Sequence, residues 1–140
     1  MLEIVLLVLA ALVLAVVVLV GVGLVRLRAV RTRHRRRVAA IDPQHSEPAS
    51  LVGVASEGRL QTPGVGTLAV GETHLVFVQL VPERDVLVPR ESITAARSTR
   101  HFLGKTTGQD MLVVTWDVAG MTDAIGLSTR DVEGWIDRLG

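Results

Sequence analysis

Few residues in this sequence of 140 have the types and spacing that chemistry requires. There is no cysteine, which excludes disulfides, thiolate metal sites and cysteine nucleophiles. Ser56 stands between Ala55 and Glu57, so it lacks the flanking glycines of a nucleophile elbow. The histidines show no H-E-x-x-H spacing, the pattern that brings two imidazoles to one helix face for zinc. They are His34, His45, His74 and His101.

One short motif suggests phosphate binding. Gly104-Lys105-Thr106 matches the end of a P-loop, but the full motif needs a glycine five residues before Gly104, where Thr99 stands. No strand-to-helix pattern surrounds it either. We therefore predict no catalytic, cofactor-binding or metal-binding residues and no cofactor, and we predict that the protein is not an enzyme.

Positive charge is concentrated in one short segment. Residues 26–37 hold seven arginines and no acid, whereas residues 38–140 hold eight basic and thirteen acidic residues, a net charge of −5. We call the first segment the basic neck. It is interpreted either as a topology signal near lipid head groups or as a specific contact with anionic lipid. The predicted lipid contacts are Arg26, Arg28, Arg31, Arg33, Arg35, Arg36 and Arg37. Because no aromatic residue is interleaved for base stacking, nucleic acid is not expected.

A second group of basic residues surrounds a segment predicted to be a long loop, residues 99–110. We call it the basic cluster; its members are Arg97, Arg100, His101 and Lys105. It is either a solvated loop or a contact surface for an acidic partner or for lipid head groups.

The elements that carry these residues begin with an apolar segment. Residues 4–25 include no charged or polar side chain. At about 1.5 Å per residue, a helix of this length spans the ~30 Å hydrocarbon core of a bilayer. A cleaved signal peptide would need a basic start and a small-residue cleavage site, but the chain starts with Met1-Leu2-Glu3 and arginines follow the apolar run. We predict an uncleaved transmembrane anchor over residues 1–25.

The arginines also predict the orientation of this anchor. All seven follow the span and none precedes it, and basic flanks stay in the cytoplasm. We expect the N-terminus outside and the remainder inside. The basic juxtamembrane segment covers residues 26–41, with a helix that ends before Asp42-Pro43. Residues 42–50 are rich in proline, serine and acids, and we predict a linker there.

Residues 51–140 read as short strands followed by one helix. Turn residues separate apolar runs of strand length, and the predicted strands are 51–55, 66–70, 74–80, 85–88, 93–98, 111–118 and 122–127. The last segment changes period: Val132, Trp135, Ile136 and Leu139 fall on one helical stripe, with Ser128 as the expected N-cap. This order predicts a small antiparallel barrel or sandwich, with Trp135 over its open end.

This arrangement resembles the pleckstrin-homology-like (PH-like) superfamily, especially bacterial PH and GRAM-type domains. The resemblance covers about 75 residues and has three parts. Residues 66–70 and 74–77 are similar to the family's G-x-L-x-L-T-x-x-x-L-x-F hairpin. Residues 88–93 are similar to its I-P-L-x-x-I segment, and the C-terminal helix carries one tryptophan, Trp135. The loop after the first strand lacks the basic signature of phosphoinositide binders, because Arg59 is its only basic residue.

The resemblance implies a binding or adaptor module. We expect a membrane-tethered cytoplasmic PH-like module in the plasma membrane of a bacterium, with a protein partner at the membrane. The alternative is a structural accessory subunit of a membrane complex that partners through its transmembrane helix. An OB-like barrel on an anchor is a third reading, but the lone helix after all the strands argues against it.

Overall fold

A computed structural model describes residues 1–140, and the chain divides into two compact units, residues 1–35 and 36–140. Helix α1 (Leu2–Ala39) forms nearly all of the first unit, and its last turn belongs to the second. Its apolar part has a mean hydropathy of 3.4 and none of it is buried in the protein, so α1 is long and apolar enough to cross a bilayer. The helix ends before Asp42-Pro43, as predicted.

The second unit contains seven strands and a C-terminal helix. The strands are β1 (His45–Val54), β2 (Gly64–Val70), β3 (His74–Gln79), β4 (Arg84–Pro89), β5 (Ile93–Phe102), β6 (Lys105–Val118) and β7 (Met121–Ser128), and the helix is α2 (Val132–Leu139). They form one antiparallel sheet in the order β4-β3-β2-β1-β7-β6-β5. The sheet is open, because β4 and β5 at its two edges are not paired with each other.

Helix α2 closes the core of this open sheet. It contacts β5 and β6, and Trp135 is fully buried in a core cluster with apolar residues of β1–β4, β6 and β7. The sequence predicts Trp135 on the apolar stripe of α2, over the open end of the sheet, and in the structure its side chain is part of the main core. The N-cap expectation was wrong: Asp131, not Ser128, caps α2, because its side chain accepts a hydrogen bond from the backbone N–H of Gly134 at 3.0 Å.

The predicted linker, residues 42–50, is mostly strand. Strand β1 begins at His45 and pairs with β2 from His45↔Val70 to Leu51↔Gly64. His45 and Glu47 are half-buried, Ala49 is buried, and the residues between them are exposed. Polar composition suggested a linker, but seven residues of pairing with β2 fix the backbone as extended, and even Pro48 is tolerated within it.

The predicted loop, residues 99–110, is the end of a long hairpin. Strands β5 and β6 pair as far as Phe102↔Lys105, and Leu103 and Gly104 form the turn with positive φ of 51° and 72°. Phe102, Met111 and Val113 form a second apolar cluster on the face of β6 opposite the main core, together with the half-buried Leu103. This packing accounts for strand structure in a segment rich in threonine and glycine.

Two glycines let the tip of this hairpin lie against the sheet. A methyl group on Gly126 would lie 2.8 Å from Cε1 of Phe102, and one on Gly53 would lie 2.8 Å from Cδ1 of Leu103. Both distances are too short for carbon atoms. Because Gly53 of β1 and Gly126 of β7 have no side chains, Leu103 and Phe102 of the hairpin tip can pack against these two strands.

Candidate interaction surfaces

The basic cluster lies on the hairpin β5–β6, not on a loop. Arg97 is exposed on β5. Arg100 is exposed and forms an ion pair with Asp110 of β6, with 3.0 Å between Nε and Oδ1. His101 is exposed, and its Nδ1 lies 2.9 Å from the hydroxyl oxygen of Thr106. These three side chains are brought to one hairpin and are open to solvent.

Lys105 does not belong to this exposed group. Its ammonium group donates hydrogen bonds to the backbone carbonyls of Val52 and Gln61, at 3.1 and 3.2 Å. The side-chain amide of Gln61 in turn accepts a hydrogen bond from the backbone N–H of Val54 at 2.8 Å and donates one to the backbone carbonyl of Val54 at 2.7 Å. Lys105 therefore ties the hairpin tip to the end of β1, and the candidate partner surface is reduced to Arg97, Arg100 and His101.

The arginines of the basic neck divide in a similar way. Six are exposed: Arg26, Arg28, Arg31, Arg33, Arg35 and Arg36. Arg37 is half-buried, donates a hydrogen bond from Nη1 to the carbonyl of Gln79 at 3.2 Å, and forms ion pairs with Asp85 and Glu83. The last turn of α1 is thus bound to the end of β3 and the start of β4. No sequence signal linked Arg37 to these acids, which lie more than forty residues away.

Other charged groups are used to hold the connection between β1 and β2. Glu57 forms a bidentate ion pair with Arg84 at the start of β4. The guanidinium nitrogens Nη1 and Nη2 donate to the two carboxylate oxygens at 3.0 and 2.5 Å. The hydrogen bond to Glu57 raises the pKa of Arg84 above its already high ordinary value. Ser56 donates from its hydroxyl and its backbone N–H to the carboxylate of Asp123 on β7, at 2.7 and 2.9 Å. Ser56 is therefore a structural residue in this connection.

The histidines are dispersed along the chain: His34 lies on α1, His45 on β1, His74 on β3 and His101 on β5. The ring of His45 packs on Trp135 with 5.1 Å between centroids, and its Nε2 lies 3.9 Å from a carboxylate oxygen of Glu47. His74 contacts the hydroxyl of its neighbour Thr73 through Nδ1 at 2.8 Å. No group of three His, Asp or Glu side chains converges closely enough to hold a metal ion.

The two edges of the sheet differ in what they offer a partner. Strand β4 has six residues, ends at Pro89, which lacks an N–H, and has Arg84 and Asp85 engaged in ion pairs. Strand β5 has ten residues, and two bulges leave residues 95–99 between them in regular pairing with β6. Beside β5 lies a groove whose other wall is formed by Ile136 and Leu139 of α2.

Charge also sets β5 apart. Its residues include Arg97 and Arg100 and no acid, whereas residues 38–140 as a whole carry a net charge of −5. The sequence predicts a strand over residues 93–98 that includes Arg97, but it gives no indication of the groove or of the extension of β5 to Phe102. The extension was hard to predict because the bulge between Thr99 and His101 breaks the alternation of exposed and buried residues.

No family model, curated protein or solved structure matches this chain.

Proposed function

We propose that this protein is a membrane-tethered, PH-like interaction module that binds a protein partner at the free edge of β5. The observation that carries the proposal is the difference between the two edges of the open sheet. An exposed edge strand presents unpaired backbone N–H and C=O groups, and an extended segment of another protein can pair with them. The β5 edge is longer than the β4 edge, lacks proline and borders a groove whose other wall includes Ile136 and Leu139 of α2.

Three features of the fold support the PH-like assignment. The family's hairpin motif falls on β2 and β3, which pair directly from Gly66↔Gln79 to Val70↔Leu75. Residues 88–93, which resemble the family's I-P-L-x-x-I segment, connect β4 to β5 across the open side of the sheet. The C-terminal helix α2 carries one tryptophan, Trp135, as the resemblance implies, and its side chain is buried.

The tether is α1, inserted in the plasma membrane of a bacterium with the N-terminus outside and residues 36–140 in the cytoplasm. The support is the apolar length of α1 together with the arginines that follow it. The exposed arginines of the basic neck then contact anionic lipid head groups, and Arg37 holds the domain to the end of the helix. No nucleic acid or cofactor is part of this function.

Site-specific photo-crosslinking in native membranes tests the proposed edge. A photoreactive residue at Ser98, exposed on β5, should yield a discrete covalent adduct with a partner protein. The matched control is Leu87, a large exposed residue, 59% accessible, on the other edge strand β4. Equal capture at both positions, or capture at Leu87 alone, would contradict the proposal.

The same experiment separates the alternative function, an accessory subunit that partners through its transmembrane helix. In that case, replacing residues 4–25 with an unrelated anchor should abolish the Ser98 adduct. Under our proposal the adduct persists after this replacement, because the contact is made by β5. A Leu87 adduct that depends on the native helix would favour the accessory subunit.

A further inference from the structure

We infer that β5 selects an extended partner segment in which acidic side chains alternate with apolar ones. This inference rests on the proposed function, since it specifies the chemistry of the partner at the same edge. It follows from which way the side chains of β5 point, and that is given by its register with β6.

Residues paired across two antiparallel strands project from the same face of the sheet. Ala96 pairs with Val114 and Ser98 with Leu112, and both partners belong to the main core beneath α2. Arg97 pairs with Val113, which belongs to the second apolar cluster on the opposite face. Ala96 and Ser98 therefore lie on the side of α2, and Arg97 lies on the other side.

A strand added to β5 would continue both faces of the sheet. On the side of α2 its side chains would lie beside the half-buried Ile136 and Leu139, against which apolar groups can pack. On the other side its side chains would lie next to Arg97, which is exposed and has no ion-pair partner. Because successive residues of a strand alternate between faces, these two requirements alternate along the partner.

A second arginine on the strand adds to the positive charge at Arg97. Arg100 follows three residues later and is paired with Asp110, and both side chains of this pair are more than half exposed. A carboxylate of the partner can therefore readily replace Asp110 as the partner of Arg100. No acid of β5 itself competes. The edge is thus positively charged within a domain that is negative on average.

The same charges argue against a second copy of this chain as the occupant. Pairing two β5 strands edge to edge would bring two sets of Arg97 and Arg100 onto one joined sheet, and like charges on adjacent strands are destabilising. A negatively charged strand from another protein has no such cost. We therefore assign the edge to a different protein whose binding segment carries carboxylates.

The test uses the full chain in phosphatidylcholine nanodiscs and three nine-residue probe peptides, in which valine alternates with glutamate, glutamine or lysine. The basic neck also attracts acids, so the readout must be local: hydrogen exchange of the backbone amides of residues 95–99. We expect the glutamate peptide to slow this exchange. Half-protection should occur at about threefold lower concentration than for the glutamine peptide, as one exposed ion pair allows.

Substitutions at Arg97 make the test specific. Arg97→Glu should reverse the order, so that the lysine peptide protects β5 better than the glutamate peptide. Arg35→Gln, an exposed arginine of the basic neck, is the matched control and should leave the order unchanged. High salt should reduce the preference, because exposed charges are screened.

The possible results separate the preference for acidic side chains from strand addition at β5 itself. If glutamate and glutamine peptides protect β5 equally, strand addition stands and the acidic preference is overturned. If Arg97→Glu leaves the order unchanged, Arg97 is not the residue that selects the partner. If none of the three peptides slows exchange at residues 95–99, the β5 edge is not a binding site and the proposed function fails with the inference.

Discussion

Residues of the same charge have different roles in this protein, even where they are close neighbours. Arg97 and Lys105 lie on one hairpin, yet Arg97 is exposed whereas Lys105 donates to two backbone carbonyls of the domain. Arg36 and Arg37 are adjacent, yet only Arg37 is bound to acids of the domain. A count of basic residues in the sequence therefore overstates the number of basic side chains that are available for binding at the surface.

The structural role of Lys105 is testable by substitution. Lys105→Met keeps the length of the side chain but removes the ammonium group, leaving the carbonyls of Val52 and Gln61 without their donor. A hydrogen bond to a charged group contributes about 1.5–3 kcal/mol, so we expect the free energy of unfolding to fall by about 2 kcal/mol. Urea unfolding of the fragment 36–140, followed by circular dichroism, measures it.

The matched control is Arg97→Met on the neighbouring strand. An exposed, unpaired side chain contributes little, so its substitution should change stability by less than about 0.5 kcal/mol. If the two substitutions have equal effects, Lys105 does not have the structural role described.

At the scale of elements, helix α2 holds the open sheet together through Trp135. Its ring is fully buried, packs on His45, and lies 5.7 Å from the guanidinium carbon of Arg138. Trp135→Ala should lower the free energy of unfolding by about 3–5 kcal/mol, the usual cost of removing a buried large aromatic side chain. Arg138→Ala removes only the exposed partner and should cost at most about 1 kcal/mol. A loss below about 1 kcal/mol for Trp135→Ala would mean that α2 does not pack as described.

The hairpin β5–β6 depends on close packing against β7. Gly126→Ala would overlap the ring of Phe102 and should destabilise the domain by about 1–3 kcal/mol, as overpacking does. Gly108→Ala, on β6 with no atom within 4 Å, is the control and should be neutral or slightly stabilising.

A second substitution tests the cause of this effect. Combining Gly126→Ala with Phe102→Leu should recover part of the loss, so the two changes should not be additive in thermal or urea unfolding. Strict additivity would show that the ring of Phe102 does not lie over Gly126.

At the scale of the whole molecule, the orientation in the membrane can be read directly. Because the chain has no cysteine, Ser46→Cys or Ser128→Cys introduces a single exposed thiol on β1 or β7. With the domain in the cytoplasm, neither thiol should react with a membrane-impermeant maleimide in intact cells. Both should react after permeabilisation. Reaction in intact cells would reverse the proposed orientation.

Affinity for anionic membranes should come from the basic neck. Near an anionic surface each arginine contributes about 1 kcal/mol, so six exposed arginines give several kcal/mol even after screening. The fragment 26–140 should sediment with phosphatidylserine vesicles at low salt and less at high salt. Exchanging those six arginines for glutamine, with Arg37 kept, should abolish the sedimentation. Undiminished binding would place a lipid site in the domain itself.

Local patterns in the sequence were sufficient for most of the elements. The sequence predicts the apolar length of α1 and its end before Asp42-Pro43, the presence of all seven strands, and the amphipathic stripe of α2. These features were predictable because hydrophobic periodicity and turn residues depend only on residues close together in the sequence. Even the burial of Trp135 followed from its place on that stripe.

Only the tertiary structure decided how those elements pair and which charges are consumed. Residues 45–50 become strand because β2 pairs with them, and residues 99–110 become hairpin because Phe102 and Leu103 pack on glycines of distant strands. Residues far away in the sequence also determine the partners of Lys105 and Arg37 and the position of β5 at the edge of the sheet. Hydrogen-bonding and charged partners of this kind depend on long-range register, and periodicity within one segment carries no information about it.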